Sequence, residues 1–311
     1  MLDDTDVIIV TEAEDGLRID KILATRFQEG YSRSYFQWLI EEKKVLLNGE
    51  IIKKRIMPKA GDEIEIHYVC LPQPNLTPEN IPLTIIFEDE YMIVIDKPAG
   101  MVVHPASGNW SGTFVNALLY HCQEVSALLD PTSPDLNVRP GIVHRLDKNT
   151  TGLLVAAKTS KAHEKLAALF FNREIRKEYL AICVGNPGNV DIEAPIGRNP
   201  ACYQKMAVVK DGKKALSQCK TLGYNGKLSL VSVNLVTGRT HQIRVHLQSV
   251  NTPVLGDPIY GNVKINLANK AERQMLHAHR LEFIHPFTQE LLKFEAPLPK
   301  EMNTIVKNIF L

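Results

Sequence analysis

At 311 residues the chain is too long for one comfortable core and suits two domains. Its 44% hydrophobic and 23% charged content is that of an ordinary globular protein. No apolar run nears the roughly 18–20 residues of a membrane helix, and the acidic start Met1–Asp6 lacks the basic flank and apolar stretch of a signal peptide, so a cytoplasmic address is expected.

The formal net charge of +1 hides an uneven distribution. Ten Lys/Arg oppose five acids between Arg18 and Lys59, and six oppose one between Arg198 and Lys220. Two basic patches on a near-neutral chain suit a specific RNA partner better than indiscriminate polyanion binding. Five cysteines, scattered and without a C-x-x-C pair, argue against a disulfide framework or a cysteine-based zinc site.

In chain order, Leu17, Ile19, Ile22 and Leu23 open a helical period ending near Gly30. Ser32 is a candidate N-cap for a second helix through Tyr35 to Ile40. Strand-like pieces follow at Val45–Leu47, closed by the turn signal Asn48-Gly49, then at Ile51–Ile52 and Glu63–Ile66. Four prolines between Leu71 and Pro82 mark a linker, giving a domain over 1–70, a linker over 71–82 and a larger domain over 83–311.

The larger domain mixes strands and helices. Met92–Ile95, Leu153–Ala157 and Tyr179–Val184 read as strands, Leu230–Leu235 alternates, and Thr113–Leu129 and Ser160–Asn172 read as helices. Asp211-Gly212 and Asn225-Gly226 are predicted to turn hairpins, so much of the sheet is expected to be antiparallel. The fold class is α+β, a mixed, mainly antiparallel sheet flanked by helices.

The densest reactive cluster is His144-Arg145-Leu146-Asp147-Lys148-Asn149-Thr150-Thr151-Gly152, between the apolar segments Gly141–Val143 and Leu153–Val155. One carboxylate among cationic neighbours is kept ionised and can serve as nucleophile or base. A structural Arg–Asp pair pinning a loop explains the same spacing. In Thr237–His246, Thr240 is a candidate N-cap, and Ile243, Leu247 and Val250 form an apolar face. Arg244 falls off that face, either toward a distant carboxylate or into solvent. Tyr179 is equally a core aromatic or a stacking platform.

Taken together, these residues resemble the RluA-type pseudouridine synthases. His144-Arg145-Leu146-Asp147 resembles the signature loop. Lys97-Pro98-Ala99-Gly100 with Val103-His104-Pro105, Lys177-Glu178-Tyr179, Thr237–Arg244 and Leu255–Gly261 resemble the other blocks, in the same order. Residues 16–68 are similar to an S4 domain, a small RNA-binding module, through Arg18, Asp20, Lys21, Ser32-Arg33-Ser34 and Val45–Gly49.

The resemblance implies the pseudouridine synthase fold behind an S4 domain, and isomerisation of uridine in RNA, with 23S ribosomal RNA or a pre-ribosomal particle as partner and the enzyme a monomer. It implies Asp147 as the catalytic carboxylate, attacking the sugar or the base, or taking a sugar proton. Arg244 would pair with it, and Tyr179 would stack on the target base. Arg145 would fill the place the base vacates, and His144, Arg18, Lys21, Ser32 and Arg33 would contact RNA. No cofactor is implied and no metal; His277 and His279 lack a convincing third ligand. Two other readings stay open: an RNA-binding protein without chemistry, and a hydrolase of glycosidic bonds that would release free uracil.

Overall fold

The computed structural model describes residues 5–27, 31, 33–53, 55–69, 76–105, 109, 111–122, 125, 140–202 and 205–310. Ser32, Cys70 and the linker prolines Pro72 and Pro74 lie outside these residues. The chain divides into two compact units, with the boundary between Leu76 and Thr77.

The first unit comprises β1 (Thr5–Ile9), α1 (Ile19–Arg26), α2 (Arg33–Glu41), β2 (Val45–Leu47), β3 (Glu50–Ile51) and β4 (Glu63–His67). Its sheet runs β1-β4-β2-β3, antiparallel throughout. Leu47 pairs with Glu50 across Asn48 (φ 51°) and Gly49 (φ 79°). Both turn residues are left-handed, as a tight hairpin needs, and Asn-Gly tolerates that best. Ile19, Ile22 and Leu23 of α1 pack with Phe36, Leu39 and Ile40 of α2 over Val45, Ile64 and Ile66. Strand β1 was not foreseen, because the acidic residues at the start mask the apolar Val7 to Val10.

The second unit begins with β5 (Ile85–Glu88), β6 (Met92–Lys97), α3 (Phe114–His121), β7 (Thr151–Ala157), α4 (Ser160–Asn172) and β8 (Arg176–Val184). It continues with β9 (Asn189–Glu193), β10 (Ile196–Arg198), β11 (Met206–Val208), β12 (Leu216–Tyr224), β13 (Leu228–Leu235), α5 (Gln242–Ser249) and α6 (Val263–Ala268). It ends with β14 (Leu276–Ile284), β15 (Leu291–Glu295) and α7 (Lys300–Phe310). Nine strands form one sheet in the order β5-β6-β7-β14-β8-β13-β12-β9, with β15 also on β14. All pairings are antiparallel except β7–β14, a junction of two residue pairs, Thr151 with His277 and Gly152 with Ala278.

Alternation decides which face each side chain takes. Leu180 and Ile182 of β8 join Leu228, Leu230 and the α7 residues Met302 and Ile309 in one core. Tyr179 and Ala181, which alternate with them, take the opposite face. Over the other half of the sheet, Ala162 and Leu166 of α4 pack on Leu153, Val155 and Ala157. Cys122, Cys183 and Cys219 are buried thiols in no disulfide, and burial raises the Cys219 thiol to about 12. Among the described residues no helix is long and apolar enough to cross a membrane.

Several expectations need correction. The helix expected over Thr113–Leu129 stops at His121, with Cys122 extended at φ −120°, ψ 98°. Residues 126–129 lie outside the described ones. Asp211-Gly212 does not join paired strands: β11 pairs only with β10, and the chain turns back so that Lys213 and Ile196 exchange backbone bonds of 2.9 Å. Ile142 forms one isolated bridge to Ala156, so the signature loop has a strand on one side only. The N-cap of α5 is His241, not Thr240.

Candidate active site

The loop carrying Asp147 enters β7 directly and is tied down from three directions. Thr150 N–H donates to the Asp147 carbonyl at 3.0 Å. The Lys97 ammonium, fully buried at the end of β6, donates to the carbonyls of Pro98, Met101 and Lys148 at 2.8, 3.0 and 3.0 Å. Three carbonyls match the three donors of an ammonium. Burial lowers the Lys97 pKa to about 7, against the pull of Asp147's charge. Arg273 donates to the Asn149 carbonyl at 3.1 Å, and Gln274 to the Thr150 hydroxyl at 3.3 Å. Gly152 then passes β14 so closely, at φ 107°, that a Cβ would lie 2.2 Å from the Ala278 carbonyl oxygen. A carboxylate on such a loop is pre-positioned.

Arg244 reaches it from α5. This eight-residue helix is buried from Gln242 through Leu247, which rules out the solvent-facing alternative for Arg244. The Gln242 amide nitrogen donates to the Leu216 carbonyl at 2.9 Å, and His246 engages the Ser217 hydroxyl at 2.9 Å, pinning α5 to β12. Arg244 Nη1 donates to Asp147 Oδ2 at 2.8 Å, while its Nε and Nη2 make a fork onto Asp257 at 2.6 and 3.0 Å. Charge-assisted bidentate pairs fix both position and plane. Burial works against the Arg244 charge, but the bonds and charges of Asp257 and Asp147 outweigh it, and its pKa is raised.

Asp257 is the site residue that sequence reasoning left without a role, although its segment was recognised. It is 1% exposed and also accepts from the backbone N–H groups of Ile259 and Tyr260. The Tyr260 ring lies 5.0 Å from the guanidinium carbon, and its hydroxyl bonds His241 Nδ1 at 2.8 Å. His241 Nε2 stands 3.9 Å from Asp147 Oδ2. Burial lowers the pKa of His241, partly offset by the Asp147 charge.

Asp147, Arg145, Tyr179, Arg239, His241 and Arg244 line one cavity of about 830 Å³, within the roughly 300–1,000 Å³ typical of small-ligand sites. Tyr179 is only 7% exposed, and burial followed by the Asp147 charge raises its pKa. Five Lys/Arg line the cavity (Arg145, Arg173, Lys177, Arg239 and Arg244), with Asp147 the single acid among the lining residues. Arg239 Nε donates to the Lys214 carbonyl at 3.2 Å, linking the cavity wall to the basic segment 198–220.

His144, expected as an RNA contact, is engaged by the protein. Its Nε2 accepts from Val155 N–H at 2.9 Å and its ring stacks on Phe170 at 4.4 Å. Burial lowers its pKa to about 3, leaving a neutral ring that anchors the loop to β7. In the first unit, Arg18 and Arg33 both bind the fully buried Asp20, at 2.9 Å each, while Lys21 is exposed. His277 has both ring nitrogens on protein atoms, the Thr151 hydroxyl at 2.8 Å and the Ala296 carbonyl at 3.2 Å.

A held carboxylate in a basic cavity beside a mixed sheet is the layout of an enzyme for a polyanionic substrate. Residues 91–249 match the family model described as RNA pseudouridylate synthase. The chain is 42% identical over 319 residues to an uncharacterized RNA pseudouridine synthase of Chlorobaculum parvum, covering 96% of each. It is 40% identical to the ribosomal large subunit pseudouridine synthase D of Zymomonas mobilis, over 99% of this chain and 98% of that one. The solved structure of human RNA Pseudouridylate Synthase Domain Containing 1 shares the fold, with a TM-score of 0.56 at 24% identity over 75% of this chain and 96% of that one. This chain belongs to the RNA pseudouridylate synthase family, and it is an isomerase acting on RNA.

Proposed function

We propose that the protein isomerises specific uridines of 23S ribosomal RNA, with the Asp147 carboxylate acting on a uridine flipped out of its strand. The reaction breaks the bond from N1 of uracil to the sugar and makes one from C5. A C5 proton is lost and N1 gains one, so the RNA keeps its mass. The observation that carries the reading is the Asp257–Arg244–Asp147 chain. A guanidinium locked by one buried acid presents its remaining N–H to a second acid inside a basic cavity.

Arg244 then positions Asp147 and balances its charge, Tyr179 stacks on the uracil, and Arg145 enters the strand where the base has left. Extruding a base costs a few kcal/mol and stacking returns about 1–3 kcal/mol. Backbone contacts by basic surfaces supply the remaining affinity. The ribosomal RNA substrate is supported by near-full-length relatives that carry ribosomal large subunit names. A substrate of that kind would place the work in the cytoplasm, on 23S RNA or a pre-ribosomal particle. Asp147, Tyr179, Arg244 and Asp257 meet within one chain, so a monomer, the state proposed, carries a complete site.

The first unit belongs to the same proposal as an S4 RNA-binding domain over residues 1–70, joined to the catalytic domain 83–311 by the proline-rich segment 71–82. The observed boundary after Leu76 falls inside that segment. The half-exposed Arg33, steered by buried Asp20, supports a phosphate-contacting face. Mapping pseudouridines in ribosomal and transfer RNA from cells with and without the protein tests the reading. Loss at one or more 23S positions is expected; an unchanged 23S map contradicts it.

A further inference from the structure

We propose that Phe171, with Arg173 beside it, is a second stacking platform that holds a base next to the target uridine. The inference rests on the isomerase reading and extends its substrate contacts from the target uracil to a neighbouring base at the rim of the same cavity. Phe171 is 87% exposed at the C-terminal turn of α4. A singly exposed apolar side chain needs no explanation by itself; Phe171 stands out because it lines the cavity that holds Asp147. Its neighbour Phe170 shows the contrast: that ring is stacked on His144 and lies 5.7 Å from the Lys177 ammonium. Phe171 lines the same cavity as Asp147 but has no such cover.

Arg173 supplies the second observation. It ends α4 in the left-handed conformation (φ 64°, ψ 33°), with its N–H closing on the carbonyls of Leu169 and Phe170. Glycine does that with least strain, so arginine at this position sets a guanidinium on the rim at some conformational cost. The Arg173 side chain is exposed and, among the described residues, in no ion pair, and the same holds for Arg145 across the cavity lining. The nearby acid Glu174 accepts from the Asn172 amide at 2.9 Å. Tyr179, 7% exposed within the cavity, can serve one base. An exposed ring among unpaired arginines fits a second base and its phosphate, since stacking tolerates any base and arginine takes the charge. An acidic rim would suit a protein partner with basic residues; this rim has the opposite sign.

The test compares wild-type protein with Phe171→Leu and Phe171→Trp in single-turnover pseudouridine formation on a 23S RNA transcript. Leu should raise the RNA concentration giving half-maximal rate about tenfold, within the roughly 5- to 150-fold range of one lost stack. The rate at saturation should stay unchanged, and Trp should restore the wild-type value. On a synthetic hairpin around the modified uridine, one abasic flanking position should erase the difference between wild type and Leu. The proposal is overturned if Leu matches wild type, if Trp fails as Leu does, or if no abasic position removes the difference. Phe171 is nearly free of contacts, so these variants fold. Wild-type protein that forms no pseudouridine at all removes the isomerase reading itself, and this proposal with it.

Discussion

Arg244 must keep two acids apart in role while touching both. Its fork on Asp257 uses Nε and Nη2, leaving Nη1 for Asp147. A lysine ammonium is a point charge and cannot reproduce that plane. Arg244→Lys should therefore lower kcat by about 100-fold or more while RNA binding changes little, and quenched-flow rates at saturating RNA measure this. Arg244→Met leaves the buried Asp257 charge unpaired and should cost about 3–5 kcal/mol in urea unfolding. Asp147, Arg244 and Tyr179 were legible because each sits in a motif with reactive neighbours. Asp257 was not, because its contact is made by a turn. Gly256, at φ 77°, brings the chain so close to residue 273 that a Cβ would lie 1.9 Å from the Arg273 carbonyl oxygen, and no spacing rule reveals such an approach. His144 misled for the opposite reason: a histidine beside an arginine and an aspartate reads as reactive, yet its partners are a strand amide and Phe170.

Among the elements, the two-residue parallel junction of β7 and β14 sets the loop that precedes it. Gly152→Ala would drive a methyl into Ala278 and should lower the Tm by at least ~5 °C, reflecting several kcal/mol of strain. Calorimetry decides this, and an unchanged Tm would mean the strands can separate at no cost. His277 at the same junction adds a pH dependence. Burial, partly countered by its bond to the Ala296 carbonyl, lowers its pKa to about 4, so between about 4 and 6.5 the unfolded chain binds the extra proton. Stability from this residue is complete above pH 6.5 and declines as pH falls toward 4, by about 3 kcal/mol. His277→Gln should flatten that part of the stability–pH curve. Periodicity revealed β6, β7, α4, β8 and β13 because each buries a regular face. It could not place the end of α3, nor tell that the turn at Asp211-Gly212 wraps Ile196, since turn signals carry no information about which strands pair.

For the whole molecule, the prolines between Leu71 and Pro82 marked the stretch in which the chain divides into two units. The sheet's strand order was not legible, because β14 returns between β7 and β8 from far along the chain. If the first unit contributes phosphate contacts, Lys21→Glu combined with Arg33→Glu should weaken RNA binding and reduce the slope of log K against log salt by about 2, leaving the saturated rate unchanged. The most direct measurement is tritium release from RNA labelled at C5 of uridine, run with purified wild-type protein and with Asp147→Asn. The account predicts release with no free uracil for wild type, and no release by the variant while filter binding of the RNA persists. A variant that still releases tritium at the wild-type rate, or wild-type protein that liberates uracil, contradicts it.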